Sequence, residues 1–173
     1  VYFYNPNITE DSEYEKRKNE LKRLIKEKPF RYPVKMIDGD YSPEVFFNMS
    51  KGLEDCLEGG ERCFLCNEQR LRSTAQLAKK LNFEFFCTTL SVSPHKNAAK
   101  LNEIGASLSD EFEVPYLFSD FKKRGGYKRS IELSKQYGLY RQNYCGCIYS
   151  RIQAERKDKE KNSSNEAKTV VKQ

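Results

Sequence analysis

The residues best equipped for chemistry are two pairs of cysteines. Cys63 and Cys66 form a C-x-x-C, and Cys145 and Cys147 form a C-x-C with only Gly146 between them. A C-x-x-C at the start of a helix can turn both thiols toward one metal ion, and the helix dipole favours their thiolates. By itself that pattern admits three readings: a zinc site, an iron–sulfur site or a dithiol redox pair. The C-x-C differs in kind. A disulfide across it closes a very small ring whose geometry departs from that of a relaxed bridge, so it should be strained and easily reduced. Gly146 is the residue that lets the backbone turn so tightly. Such a pair suits electron transfer better than structural stapling. For both pairs, burial of ordinary small side chains is the competing reading.

The other two cysteines, Cys56 and Cys87, lie in apolar helix-like and strand-like patterns and are expected to be buried small hydrophobes. A simple zinc ribbon would place a second C-x-x-C close by. Here the second pair is a C-x-C far downstream, which counts against a ribbon though not against zinc. The only histidine, His95, sits in "SVSPHKN" and reads as polar surface. No phosphate-cradling glycine loop, dinucleotide fingerprint or H-E-x-x-H is present.

A basic aromatic stretch, "SDFKKRGGYKRS" at 119–130, joins Lys122, Lys123, Arg124, Lys128 and Arg129 to a Gly-Gly hinge, with Phe121 and Tyr127 interleaved. Cations neutralise phosphates and aromatic rings stack on unpaired bases. With Arg70, Arg72, Tyr140 and Arg141 this stretch could line one basic mouth around the thiols; a solvated surface is the bland alternative. Asp120, an acid among these cations, could donate a proton or bind metal beside a redox centre, or serve only as a cap or ion-pair partner. The net charge of +6 fits an anionic partner such as RNA without requiring one.

Elements that would position these groups follow from periodicity. "VYFY" and "VKMIDGDY" read as strands, as does "FEFFCTTL", which is apolar enough to be buried on both faces, and "VPYLF". Between them lie helices: one up to about Lys28, with Asn7 and Glu10 as a capping box, one opening at Ser42-Pro43-Glu44, one over roughly 64–81, one starting near Pro94, and one closed by Gly138. Strands alternating with helices predict a parallel sheet with the site at the carboxyl ends of its strands. At 173 residues the chain suffices for one domain. No stretch is long and apolar enough to span a bilayer. Without a signal-peptide pattern, and with many lysines and glutamates, a cytoplasmic setting is expected, where clustered cysteines bind metal or do redox chemistry. The segment 154–173 is charged, lacks a core pattern and reads as a disordered tail or frayed helix. Val1 opens directly inside a strand-like run, so the natural N-terminus is expected upstream.

Taken together, "YFYNPNI", "EGGERCFLCNEQRL", "TTLSVSPHK" and "SDFKKRGGYKRSIELSKQYGLYRQNYCGCIYS" resemble the epoxyqueuosine reductases of the QueH type over about residues 1–150. The resemblance implies an α/β, HUP/Rossmann-like parallel sheet flanked by helices across residues 1–153. It implies a cytoplasmic, cobalamin-independent oxidoreductase that reduces epoxyqueuosine in the tRNA anticodon loop to queuosine, using a separate electron donor. Cys63 and Cys66 would be ligands of a [4Fe-4S] cluster. Cys145 and Cys147 would be a redox-active pair or ligands of a second, mononuclear metal. Lys122, Lys123, Arg124, Tyr127, Arg129 and Arg141 would meet the RNA. The family also begins with a strand carrying Cys-Cys-x-x-Cys, whose cysteines complete the cluster; that motif is expected upstream of Val1. Two rival readings remain: a structural zinc module that binds RNA without catalysis, and a plain thiol–disulfide oxidoreductase.

Overall fold

The computed structural model describes residues 1–170, with side chains for residues 1–160. The chain starts with β1 (Tyr2–Phe3), whose residues pair in parallel with β2 (Ile37–Asp38) in the register Tyr2↔Ile37 and Phe3↔Asp38. Between them runs α1 (Asp11–Glu27), with Asp11 and Glu13 in its first turn and Lys26 in its last, each sign matching the helix dipole. Tyr14 of α1 is buried. It stacks on Tyr41 with 3.9 Å between ring centroids and meets Phe3 edge-on. The expected capping box does not form: Glu10 is the N-cap without a side-chain bond, and Asn7 turns into the interior instead.

Helix α2 (Pro43–Ser50) starts as expected, with proline in its first turn where no amide donor is needed. Helix α3 (Glu61–Lys80) begins directly after Gly60, about one turn earlier than periodicity suggested, which brings both cysteines of the C-x-x-C into its first two turns. Asn97 caps α4 (Ala98–Phe112), its Oδ1 accepting from Lys100 N at 3.1 Å. Leu71, Ala75 and Ala78 of α3 interlock with Leu101, Ile104 and Leu108 of α4, closed over by Phe86, Val114 and Tyr116. Gly105 allows the Tyr116 ring to lie flat on α4: a Cβ there would fall 2.5 Å from the ring. Helix α5 (Gly126–Gln136) lies between two left-handed glycines, Gly125 and Gly138, the latter ending it as read from sequence.

The sheet is where sequence and structure part. The fold is α/β, and its strand pairings are parallel. Yet "FEFFCTTL" and "VPYLF" meet only at a single parallel bridge, Phe86↔Tyr116. Phe86 is buried, but Phe83 and Phe85 are 55% and 59% exposed, so this segment is not a strand covered on both faces. A strand is buried on both faces only when neighbours flank it and helices cover it. Among the described residues this one has a single partner, and the two parallel pairings stay separate. Cys56 and Cys87 are also corrected: each is half-buried, and each lies outside helix and strand. Helix α6 (Ile148–Val170) runs through most of the segment read as a disordered or frayed-helical tail; residues 171–173 lie outside the described residues. Among the described residues no helix is long and apolar enough to cross a membrane.

Candidate functional site

The two cysteine pairs meet. Cys63 and Cys66, from the start of α3, line one small pocket with Cys145 and Cys147, from the loop that enters α6. Asn7, Phe46, Arg62, Asn67 and Lys96 complete its wall. A larger cleft of about 310 Å³ adjoins it, lined by Gly59, Phe64 and the 94–97 loop, and the two share Cys63, Asn67 and Lys96. A small molecule or an unstacked base in the cleft would therefore have Cys63 at its wall and the other three sulfurs in the adjoining pocket.

Each sulfur has its own surroundings. Cys63 Sγ accepts from Gly59 N at 3.3 Å. Cys66 is buried, and burial pushes its thiol up to about 11 against the opposing charge of Arg70. Cys145 is driven the other way. A hydrogen bond from Cys147 favours its thiolate most, and although burial opposes this, the charges of Lys96 and Arg70 add to it. Lys96 Nζ lies 3.6 Å from Cys145 Sγ, and Asn7 Nδ2 lies 3.9 Å away. Cys147 shifts upward, chiefly because it donates to Cys145 and also because it is buried. The two thiols are thus pushed in opposite directions, Cys145 toward the thiolate and Cys147 toward the protonated form. All six cysteines are free thiols.

The loop that carries this pair has no regular structure, and α1 holds it along its length. Arg23 donates to the carbonyls of Tyr137 and Gly138 at 3.0 and 3.2 Å, and Glu20 accepts from Tyr140 N at 2.8 Å. The Tyr140 hydroxyl donates to Glu13, and Arg17 donates to the carbonyls of Cys145 and Tyr144 at 2.7 and 3.2 Å. These four charged residues recur at helical spacing, so they share one face of α1. Gly146 has φ +123°, and a Cβ there would fall 2.9 Å from Ile8 Cγ1 and 3.2 Å from Arg17 Nη1. Both the backbone angle and the space require glycine. On the far side, Cys145 N donates to Ser150 Oγ at 3.0 Å, which donates to Glu58 at 2.9 Å, and Glu58 in turn faces Lys96 at 3.5 Å.

The thiols suit soft metals and iron–sulfur clusters by donor type. One further observation fits an anionic sulfur-ligated group: Arg62, which lines the pocket and is buried, has an Nε–H with no partner. Against a complete site, no group of three His, Cys, Asp or Glu side chains among the described residues is placed to hold a metal ion. The chain's own share of such a site is thus thiols and a buried cation.

The remaining predicted residues divide. Asp120 lines neither cavity; it pairs with Lys122 and Lys123 at 3.2 and 3.5 Å. Burial acts to raise its carboxyl, but hydrogen bonds and charge from those two lysines outweigh that and hold it below its ordinary value, so it is a poor proton donor near neutral pH. Lys122 is tied down, its Nζ donating to the Lys96 carbonyl at 3.2 Å. Lys123, Arg124, Tyr127, Arg129 and Arg141 are exposed, with Arg129 paired to Glu132 and Arg141 bonded to Ser134 Oγ. Arg70 reaches Asn5 Oδ1 and Tyr4 O beside the thiols, whereas Arg72 turns to Glu68 and Glu111 and Tyr140 to Glu13, so these do not form one mouth. His95 is exposed and lines the cleft. Sequence reading missed Lys96, Arg62, Asn7, Arg17 and Ser150. Asn7, Arg62, Lys96 and Ser150 lie inside the motifs that carry the family resemblance, which was the available signal, whereas Arg17 looks like a surface polar residue until the fold carries it to the sulfurs.

A family model described as "Epoxyqueuosine reductase QueH" matches residues 1–153. Curated proteins of that name are similar to the chain across most of its length. The Streptococcus pyogenes serotype M1 protein is 40% identical over 152 residues, covering 87% of this chain and 60% of its own length. That of Staphylococcus epidermidis is 39% identical over 156 residues, covering 88% and 66%. That of Thermotoga maritima is 38% identical over 162 residues, covering 92% and 82%. The chain therefore spans about three fifths to four fifths of these relatives. With the matched region ending just past the C-G-C and taking in both cysteine pairs, the chain belongs to the QueH family.

Proposed function

We propose that this chain carries the reductase unit, residues 1–153, of a cytoplasmic oxidoreductase that reduces epoxyqueuosine in the tRNA anticodon loop to queuosine. The relatives' name supplies the reaction class. The observation that carries the reading is the meeting of Cys63, Cys66, Cys145 and Cys147 in one pocket beside an open cleft. Its wider fold is then a HUP/Rossmann-like sheet, of which the parallel pairings are part.

Converting an epoxide to an alkene removes its oxygen as water and consumes two electrons and two protons. Cys63 and Cys66 would hold a [4Fe-4S] cluster, which when bound supplies electrons singly at a potential set by its ligands and burial. Cys145 and Cys147 can release two electrons on forming a disulfide, a thiolate–thiol pair giving up its one proton while solvent supplies the second proton the epoxide needs, and an external donor would restore the pair. Lys96, shared by pocket and cleft, adds to the hydrogen bond from Cys147 in favouring the Cys145 thiolate and puts a positive charge on the cleft wall. The exposed cations Lys123, Arg124, Arg129 and Arg141 would contact the RNA backbone, and Tyr127 an unpaired base.

Full-length protein purified without oxygen should be brown, with broad absorption near ~400 nm. Cys145→Ser and Cys147→Ser should abolish epoxide reduction while colour and fold persist. Normal turnover by either variant would refute the redox role, and colourless protein with stoichiometric zinc would establish the zinc module instead.

A further inference from the structure

The backbone of the C-G-C is held from two sides. On the α1 side the Arg17 guanidinium commits its whole fork. Nη1 donates to the Cys145 carbonyl at 2.7 Å, Nη2 to the Tyr144 carbonyl at 3.2 Å and Nε to Glu13 at 2.7 Å. Its side chain is 10% exposed, and Glu13 answers its charge. Just before α1, Thr9 N donates to the Gly146 carbonyl at 3.3 Å. On the α6 side, Cys145 N donates to Ser150 Oγ at 3.0 Å and Arg151 N to the Cys147 carbonyl at 3.1 Å. Every carbonyl of residues 144–147 thus has a donor, and in this held shape both cysteines are free thiols. Their sulfurs share a hydrogen bond, which is longer than the about 2.05 Å of a disulfide. A disulfide here would close its ring through the backbone of residues 145–147, so forming it works against whatever fixes that backbone. Hydrogen bonds from an ionised guanidinium are roughly twice as strong as those between neutral groups. The cations that favour the Cys145 thiolate are Lys96 and Arg70, so Arg17 is left to act on the backbone.

We propose that Arg17 is a positioning residue that holds the C-G-C in its dithiol shape and thereby raises the reduction potential of the Cys145–Cys147 disulfide. This deepens the redox role given to the pair above and rests on it, with no metal involved. Stabilising the reduced form of a dithiol makes its disulfide easier to reduce. An external donor can then restore the pair readily after each turnover.

The test equilibrates full-length protein, without oxygen, in glutathione buffers of graded thiol-to-disulfide ratio. The glutathione S–S bond breaks as the Cys145–Cys147 bond forms. Two electrons pass to glutathione, and the proton of Cys147 and one from solvent end on its two thiols. Acid quenching, alkylation and peptide mass spectrometry give the oxidised fraction. Arg17→Met, which keeps an unbranched stem and loses the fork, should shift the equilibrium about tenfold toward the disulfide, a potential lower by about 30 mV. Arg17→Lys, whose single ammonium replaces the fork, should fall between that variant and wild type. If Arg17→Met does not fold, Arg17→Lys decides. An equilibrium unchanged in the folded variant, or moved toward the dithiol, overturns the role of Arg17 alone. Wild type whose Cys145 and Cys147 join in none of these buffers overturns the redox reading itself, and the Arg17 role with it.

Discussion

The ammonium of Lys96 lies 3.6 Å from the sulfur of Cys145, in a pocket where burial pushes the thiol of Cys66, from the other pair, up to about 11. Two thiols lining one cavity are thus shifted in opposite directions. Lys96 lines both the pocket and the cleft, so the cation beside Cys145 is also part of the cleft wall.

Replacing Lys96 with methionine removes an opposite charge that favours the Cys145 thiolate. The thiolate fraction at neutral pH then falls, and iodoacetamide should alkylate Cys145 of the reduced, metal-free protein about tenfold more slowly. Peptide mass spectrometry over a time course measures this. An unchanged rate would show that the Cys147 hydrogen bond alone sets the thiolate.

Gly146→Ala forces a side chain into left-handed backbone against Ile8 and Arg17. A loss of about 1–3 kcal/mol of stability is expected by urea unfolding. Wild-type stability in that variant would mean the C-G-C turn can adopt another shape.

Gly105→Ala tests packing against propensity. In an exposed helix interior this change stabilises by up to about 1 kcal/mol. Here the new methyl would meet the Tyr116 ring at 2.5 Å, so the sign should reverse, with a net loss of about 1–3 kcal/mol. A raised melting temperature would show that the ring gives way.

Lys123→Glu with Arg124→Glu should weaken binding of tRNA and reduce the salt dependence of its affinity by about 1.5 logarithmic units per logarithmic unit of salt, the share of two phosphate contacts. Both side chains are exposed, Lys123 at 76%, so the fold should be untouched. Lys122→Met should act differently and loosen the 119–125 loop, because Lys122 is pinned between Asp120 and the Lys96 carbonyl. Unchanged binding isotherms for the double variant would return this stretch to ordinary solvated surface.

Sequence by itself determined the chemistry on offer: two cysteine pairs, the glycine between the second pair, and the helices with their proline and glycine boundaries at Pro43 and Gly138. Those features are local, since a donor atom, a positive φ or a helix stop is written in one or a few adjacent residues. It also carried enough ordered motif to mark the QueH family. Tertiary structure alone decided that Cys63 and Cys145, 82 positions apart, line one pocket. It turned Asn7 from a presumed cap into a neighbour of Cys145, and among the readings open for Asp120 it formed the ion pair with two lysines. It also left Phe83 and Phe85 exposed where alternation with helices promised a buried strand. Burial, partner charge and strand pairing depend on which distant segments lie alongside, and no local pattern of residue types contains that information.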